Sequence, residues 1–306
     1  MTDAPATPET TCGFVAVLGA PNAGKSTLVN RLVGAKVSIV SPKVQTTRTR
    51  VTGIGIEGKA QIVFIDTPGI FRGPRRRLDR AMIDAAWRGA RDADMVLLVV
   101  DASRARIDDD TQRIVAELKD TGRKAVLALN KIDLVRKETL LDKANALSQS
   151  GIVSDIFMIS ATEGDGVDDL KRHLAGRMPP GPWHYPEDQL SDMPQRLLAA
   201  EITREQIYLR LHDELPYAVH VTTEAWEERR DGSARIDQVI LVEREGQKPI
   251  VIGKQGATLK AIGAAARKQI EEVLGRKAHL FLTVKVQSSW AEQRGVYDEL
   301  GIDWKS

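Results

Sequence analysis

An α/β domain with a mostly parallel sheet and helices on both faces, followed by a smaller α+β unit, is the fold class the sequence predicts. Three observations carry this. Over residues 14–175 short apolar runs alternate with longer amphipathic stretches, the pattern of strand–helix units around a parallel sheet. Each apolar run ends at or beside a polar residue or a glycine. The alternation then stops at "MPPGPWHYPEDQLSDMP" (178–194), which holds five prolines, and a different order begins beyond it.

The first domain reads in order. "FVAVLG" (14–19), "AQIVFID" (60–66), "DMVLLVVD" (94–101), "KAVLALN" (124–130) and "DIFMIS" (155–160) are the predicted buried strands. Helical patterns such as "DTQRIVAELKDTG" (110–122) lie between several of them. The strands end at Gly19, Asp66, Asp101, Asn130 and Ser160. Open α/β sheets bind ligands beyond the carboxyl ends of their strands, so this punctuation marks the expected site. After the proline-rich linker, "QRLLAAEITREQIYLRLHDEL" (195–215) has helical spacing. Residues 217–229 and 234–244 read as strands joined by the turn "RDGS". Residues 260–275 form a helix closed by Gly275, and 279–288 a last strand.

Composition narrows the classes. The chain has 306 residues, 42% apolar and 28% charged, as two soluble domains would. Its net charge is only +2, so bulk charge makes no case for nucleic acid. The single cysteine, Cys12, excludes an intrachain disulfide framework and suits a reducing compartment. No apolar run reaches the roughly 18–20 residues of a membrane span. The start, "MTDAPATPET", is polar and acidic, unlike a signal peptide, and reads as a disordered lead-in to a cytoplasmic protein.

"GAPNAGKST" (19–27) follows a strand and opens a helix, the context that GxxxxGK[ST] requires. Its glycines turn backbone N–H groups inward around phosphate oxygens. Lys25 supplies a positive charge to the β- and γ-phosphates, and Ser26 a hydroxyl to Mg²⁺. "DTPG" (66–69) ends another strand; Asp66 would hold Mg²⁺, and the Gly69 N–H could reach a γ-phosphate. "NKID" (130–133) sets an amide and a carboxylate at a strand end, where Asp133 can accept from the ring N–H and amine of guanine. "SAT" (160–162) can offer a backbone N–H to the base carbonyl. The expected GTP- or GDP-binding set is Gly19, Ala20, Pro21, Asn22, Ala23, Gly24, Lys25, Ser26 and Thr27, with Asp66, Thr67, Pro68, Gly69 and Ile70, then Asn130, Lys131, Ile132, Asp133, Ser160 and Ala161.

With those motifs in that order, the chain resembles the translation-factor-related GTPases, and over 13–301 the Era family of ribosome-assembly GTPases. The stretches that sharpen the resemblance include "VSPKVQTTRTR" (40–50), "ELPYAVHV" (214–221), "ILVEREGQKPIVIGKQG" (240–256) and "WAEQRGVYDELG" (290–301). The resemblance implies a P-loop GTPase domain over 13–177 after a disordered 1–12, a linker over 178–194, and a type 2 KH domain with a C-terminal extension over 195–306. It makes "QTTRT" (45–49) the first switch, with Thr47 as a second hydroxyl to Mg²⁺ and Thr46 as the alternative. Ile70 stands where many small GTPases carry a water-orienting glutamine, so no side-chain base is evident, and Thr47, the Gly69 backbone and Asn22 are the catalytic candidates. Asn22 has two readings, a ligand to K⁺ or an asparagine that stabilises the turn.

The second site centres on "IGKQG" (252–256). Residues 244–285 hold nine basic and three acidic side chains, the local footprint of a nucleic-acid binder. A GXXG turn opening a basic helix, in an α-β-β-α-α-β order, is the signature of a type 2 KH domain, whose turn packs against the backbone of about four unpaired nucleotides. The expected RNA-binding residues are Ile252, Gly253, Lys254, Gln255, Gly256, Lys260, Arg267 and Lys268, with the bases in an apolar groove of Ile250, Ile252, Leu259 and Ile262. The residues indicate single-stranded RNA. The resemblance implies the 3′ end of 16S rRNA and the 30S subunit as partners of a monomer that acts as a switch in small-subunit assembly. It also implies peripheral association with the inner membrane, for which "RRRLDRAMIDAAW" (75–87) is the candidate stretch; the competing reading is the helix after the second switch. Two other functions compete: an RNA-modifying component, for which no candidate residues stand in the C-terminal unit, and a plain RNA-binding module, against which Lys25, Ser26 and Asp66 speak.

Overall fold

A computed structural model describes residues 10–43, 46–71, 76–212 and 215–304. Gln45, Arg75 and the first nine residues, all named above, lie outside the described set. Among the described residues two compact units emerge, one within 10–38 and 47–192, the other within 39–46 and 193–304.

The first unit is a six-stranded sheet. Its strands are β1 (Thr11–Leu18), β2 (Val51–Glu57), β3 (Ala60–Asp66), β4 (Met95–Asp101), β5 (Ala125–Asn130) and β6 (Val153–Ile159), in the order β2-β3-β1-β4-β5-β6. Only β2 runs antiparallel, against β3. α1 (Lys25–Val33) and α5 (Val167–Ala175) cover one face through Leu28, Leu32, Leu170 and Leu174. α2 (Arg77–Asp92), α3 (Asp109–Asp120) and α4 (Lys137–Ser148) cover the other through Ala86, Ile114, Leu118 and Leu140. Both faces are therefore buried, which is why the central strands read as unbroken apolar runs rather than alternating ones.

Three details differ from the sequence reading. β1 begins at Thr11, so the end of the expected lead-in is a paired strand. β2, "VTGIGIE", is a sixth strand beyond the five predicted; a Cβ on Gly53 would lie 2.8 Å from Val33 Cγ2, so glycine is what lets β2 lie against α1. The expected linker is a strap on this unit as far as residue 192. The Cys12 N–H donates to Pro179 O, the Ile54 N–H to Leu190 O, and the Ser191 hydroxyl to Thr52 O. Buried Gln61 accepts from the N–H groups of His184 and Tyr185 and donates to Tyr185 O. A proline-rich segment has few N–H groups to satisfy, so it can lie along an edge strand and shield it.

α2 also bears on the membrane expectation. Its apolar residues Leu78, Ala81, Met82, Ile83, Ala86 and Ala90 are buried, so the apolar face a membrane would need is spent inside the protein. Among the described residues no helix is long and apolar enough to cross a membrane.

The second unit contains α6 (Gln195–Arg210), β7 (Val219–Glu228), β8 (Ala234–Val242), α7 (Lys248–Ile252), α8 (Ala257–Leu274), β9 (Ala278–Val286) and α9 (Arg294–Leu300). β8 is central, antiparallel to β7 and parallel to β9. α6 and α8 pack one face of this sheet through Ala200, Ile207, Ile262, Ala266 and Ile270. α6 stops at Arg210, short of the expected 215. α9 is an addition to the expected order. Before it, Trp290 is fully buried, stacks on His220 and donates to Ala218 O, while Glu299 on α9 accepts from the Thr222 hydroxyl. Residues 39–46 pack with this unit. Arg204 on α6, fully buried and paired with Glu201, donates to Thr46 O; Glu205 accepts from the Val40 N–H; Lys43 donates to Leu211 O.

Candidate nucleotide and RNA sites

At the carboxyl edge of the first sheet, the loop after β1 wraps the start of α1. Side chains cannot stand at two of its glycines. A Cβ on Gly19 would sit 2.4 Å from Val99 O, and one on Gly24, at φ +96°, 2.2 Å from Asn130 Nδ2. The Lys25 ammonium is buried and donates to Gly19 O and Ala20 O, both at 3.0 Å. Burial pulls its pKa down to about 8 against the opposing pull of Asp66. A phosphate offers the charge and acceptors that these carbonyls supply only in part.

Beside it, Ser26 Oγ lies 2.7 Å from Asp66 Oδ2 and 2.9 Å from Thr47 Oγ1, and Thr47 Oγ1 is 3.4 Å from the same carboxylate oxygen. Burial raises the Asp66 pKa, while Lys25 and the hydroxyls of Ser26, Ser38 and Thr47 oppose that rise. The other carboxylate oxygen, Asp66 Oδ1, is buried with no hydrogen-bond partner. Two hydroxyls and a carboxylate with an unmatched oxygen fit a hard divalent cation such as Mg²⁺. Thr46 points elsewhere, its hydroxyl engaged with Ser41 Oγ and Lys43 O, so the structure distinguishes the two threonines. Ser38, whose hydroxyl donates to Asp66 Oδ2 at 2.7 Å, is absent from the sequence-based set; a serine in a loop carries no pattern to find it by.

Asn130 joins three loops. Its Nδ2 donates to Ala23 O and its Oδ1 accepts from the Ala161 N–H. The N–H that "SAT" is expected to lend the base is thus engaged with Asn130 where it belongs to Ala161. Buried Ser160 caps its own loop by accepting from the Glu163 N–H. Asp133 is exposed on a short 3₁₀ turn, with half-buried Ile132 packed on the core and Lys131 at φ +70°. Thr67 ties β3 to β1 through Val17 O, Pro68 is buried, and Gly69 comes close against Pro21. The Ile70 side chain lies in the apolar core, so only its backbone faces the loop, where its N–H reaches Gly19 O. Asn22 adopts φ +63°, and Thr27 is half-buried on the first turn of α1.

In the second unit the turn between α7 and α8 takes positive φ almost throughout: Gly253 at +74°, Gln255 at +50° and Gly256 at +79°. A Cβ on Gly253 would meet Thr258 Oγ1 at 2.1 Å. Lys254 and Gln255 stand exposed at its tip. Next to it a groove of about 430 Å³ runs between α8 and β9, lined by Gly256, Leu259, Lys260, Gly263, Arg267, Leu280 and Leu282 among others. This corrects the expected lining. Ile262 is fully buried in the core, Ile252 packs half-buried against it, and Ile250 is exposed on α7; of the four isoleucine and leucine residues expected, Leu259 lines the groove. Leu280 and Leu282 replace them, from a strand whose facing partner sequence could not supply. Lys268 is exposed beside Glu272 on α8, and Arg276 and Lys285 pair with Glu228 and Glu224. Lys254, Lys260 and Arg267 remain the cations at the turn and groove.

Comparison with known proteins agrees with both halves. A family profile described as 50S ribosome-binding GTPase matches residues 14–131, and a KH-domain profile matches 214–291. The chain is 58% identical to GTPase Era of Caulobacter vibrioides, covering 99% of each, and 58% identical to GTPase Era of Sinorhizobium medicae, covering 96% of this chain and 94% of that one. Among solved structures, it resembles Era in complex with MgGDPNP and nucleotides 1506–1542 of 16S ribosomal RNA, with a TM-score of 0.89 at 36% identity over 96% and 99% of the two chains. A point variant of Aquifex aeolicus Era bound to GDP.AlF4⁻ matches with the same TM-score and identity over 95% and 99%.

Proposed function

Because the chain belongs to the Era family of GTPases, we propose that its GTP hydrolysis times the binding of the single-stranded 3′ end of 16S rRNA, as a checkpoint in assembly of the 30S subunit. In this reading Lys25 exchanges its two carbonyl partners for β- and γ-phosphate oxygens. Ser26, Thr47 and Asp66 would hold Mg²⁺, which supplies charge neutralisation at the phosphates. Asp133 selects guanine while Asn130 keeps the phosphate loop and the Ala161 loop in register. No side chain stands at position 70 to orient water, so hydrolysis rests on positioning and electrostatics, with Asn22 as the residue to hold K⁺. The protein acts in the cytoplasm as a monomer.

The observation that carries the switch is the chain path around Thr47. Thr47 stands against Ser26 and Asp66, while the segment just before it, 39–46, packs with the RNA-binding unit through Arg204 and Glu205. A hydroxyl drawn to or released from a nucleotide would move that segment. The RNA end of the reading rests on the left-handed turn at 253–256 and the adjoining groove, which fit a strand backbone and unstacked bases.

Crosslinking followed by sequencing of bound RNA, with GTP or GDP present, tests this directly. Enrichment of the 16S 3′ end that differs between the nucleotides is expected. Recovery of no ribosomal RNA overturns the RNA partner. Equal turnover in K⁺ and Na⁺ overturns the role of Asn22.

A further inference from the structure

Asp101 ends β4, opposite Asn130 on β5, at the edge where the nucleotide loops meet. It is buried, and its two oxygens do different work. Oδ1 accepts from the N–H and the hydroxyl of Ser103, at 2.9 and 2.5 Å, an ordinary Asx turn that shapes the loop after β4. Oδ2 faces two cations. Lys131 Nζ, from the "NKID" loop, lies 2.6 Å away, and Arg104 Nε lies 3.8 Å away. Arg104 in turn points Nη2 at Pro21 O, 3.4 Å away in the phosphate loop, while its Nη1 is 3.6 Å from Asp108. The Ala102 N–H donates to Asn130 O, which fixes the loop carrying Ser103 and Arg104 to the same strand end.

We propose that Asp101 is a positioning residue of the guanine-nucleotide site, clamping the base-recognition loop to the phosphate loop through Lys131 on one side and Arg104 on the other. The inference rests on the GTPase reading and adds to it a residue outside the four motifs. Turn formation accounts for Oδ1 only; a serine or asparagine would serve that turn equally well. Two basic side chains from different loops converging on Oδ2 need a carboxylate, and an ionised one. Burial alone would raise its pKa, yet the hydrogen bonds from Lys131 and Ser103 hold it below the usual carboxylate range. Lys131 sits at φ +70°, a conformation that costs energy for a side-chain-bearing residue. Its bond to Asp101 opposes relaxation of that backbone, and Asp133 follows two residues on. The clamp therefore sets where the guanine-reading carboxylate stands relative to the loop that holds the phosphates.

Asp101→Asn is the matched probe. The amide oxygen can keep the Ser103 turn, while the amide NH₂ is left facing two cations and can hold neither. The full chain is compared with wild type by release rate of a fluorescent GDP derivative and by KM and kcat for GTP. Release about tenfold faster is expected, the scale of one lost charge-assisted hydrogen bond, with KM raised by a similar factor. kcat stays at the wild-type value, since the clamp does not touch Ser26, Thr47 or Asp66. Asp101→Glu, which keeps the charge, recovers most of the lost affinity. The melting temperature without nucleotide separates a lost clamp from a loosened fold and is expected to match wild type. Should Asp101→Asn melt early, Arg104→Gln at its partly exposed position gives the second reading, with release about threefold faster, the smaller loss of a longer and partly solvated contact. Release within about twofold of wild type in both variants, inside the scatter of a surface substitution, overturns the assignment. A wild-type chain that binds no guanine nucleotide overturns the GTPase reading instead.

Discussion

Two glycine turns with backbones suited to phosphate stand in this molecule, and they are built in opposite ways. In the loop at 19–26 the glycines are imposed by distant neighbours: Val99 O excludes a side chain at Gly19, and Asn130 Nδ2 excludes one at Gly24. Its lysine is buried and held by carbonyls. In the turn at 253–256 the constraint is local. Gly253 is crowded by Thr258, five residues on, while Gly256 has open space around a Cβ and is required only by its φ of +79°. Its lysine stands exposed. The first turn is a product of several strand ends brought together; the second is made by the chain that follows it. A site that must enclose a compact anion and a metal needs fixed walls on all sides, whereas a strand of RNA lies along a surface and needs one close approach.

The largest test of this contrast is Lys25→Ala. Removing the enclosed cation should lower GTP turnover by about a thousandfold or more, the upper range for loss of one preorganised charge. Affinity for a single-stranded RNA oligomer, measured by anisotropy with no nucleotide present, should stay at the wild-type value. A parallel loss of RNA affinity would mean that the two turns are not independent devices.

Lys254→Glu is the reciprocal experiment. A carboxylate at the tip of the exposed turn should weaken RNA binding by about tenfold to a hundredfold through lost attraction and added repulsion. Basal GTP turnover in the absence of RNA should not change, and a change would show that the exposed turn reports to the enclosed one. Gly263→Val probes the groove rather than the turn. A Cβ there already lies 3.3 Å from Leu282 Cδ1, so the added methyls must enter the groove or push β9 away. RNA affinity should fall about fivefold, the scale of one impaired base-stacking contact, with GTP turnover again unchanged.

The smallest effect is in salt. If Lys254, Lys260 and Arg267 each neutralise one phosphate of the proposed RNA partner, log affinity against log salt should slope at about −2, near −0.7 for each phosphate on a single strand. Lys260→Gln should flatten that slope by about 0.7. An unchanged slope would remove Lys260 from the RNA contact.

Much of the first site was legible in the residue order. The motifs "GAPNAGKST", "DTPG", "NKID" and "SAT" each stand at a strand end, and parallel strands bring their carboxyl ends to one edge, so order in the chain becomes proximity in space. The choice between Thr46 and Thr47 was not legible. Neighbouring threonines have the same chemistry, and the hydroxyl that reaches Ser26 is decided by how residues 39–46 leave the first unit. The second site was legible as a turn and illegible as a groove. Glycine spacing announces a left-handed turn locally, but apolar spacing along α8 does not say that Ile262 faces the core and Leu259 the opening.

By itself, then, the sequence determined the strand–helix alternation, the two glycine turns, and the carboxylates and hydroxyls that could serve a metal. These follow from chemistry within a few residues of one another. Tertiary structure alone decided that Asp66 keeps a buried oxygen unmatched, that Leu280 and Leu282 wall the groove, and that the proline-rich segment is a strap along an edge strand. It also decided that Asp101 stands between Lys131 and Arg104. Each of these depends on which distant group a side chain meets, because burial and pairing are set by neighbours across the fold, and periodicity along one chain records a face without recording what lies against it.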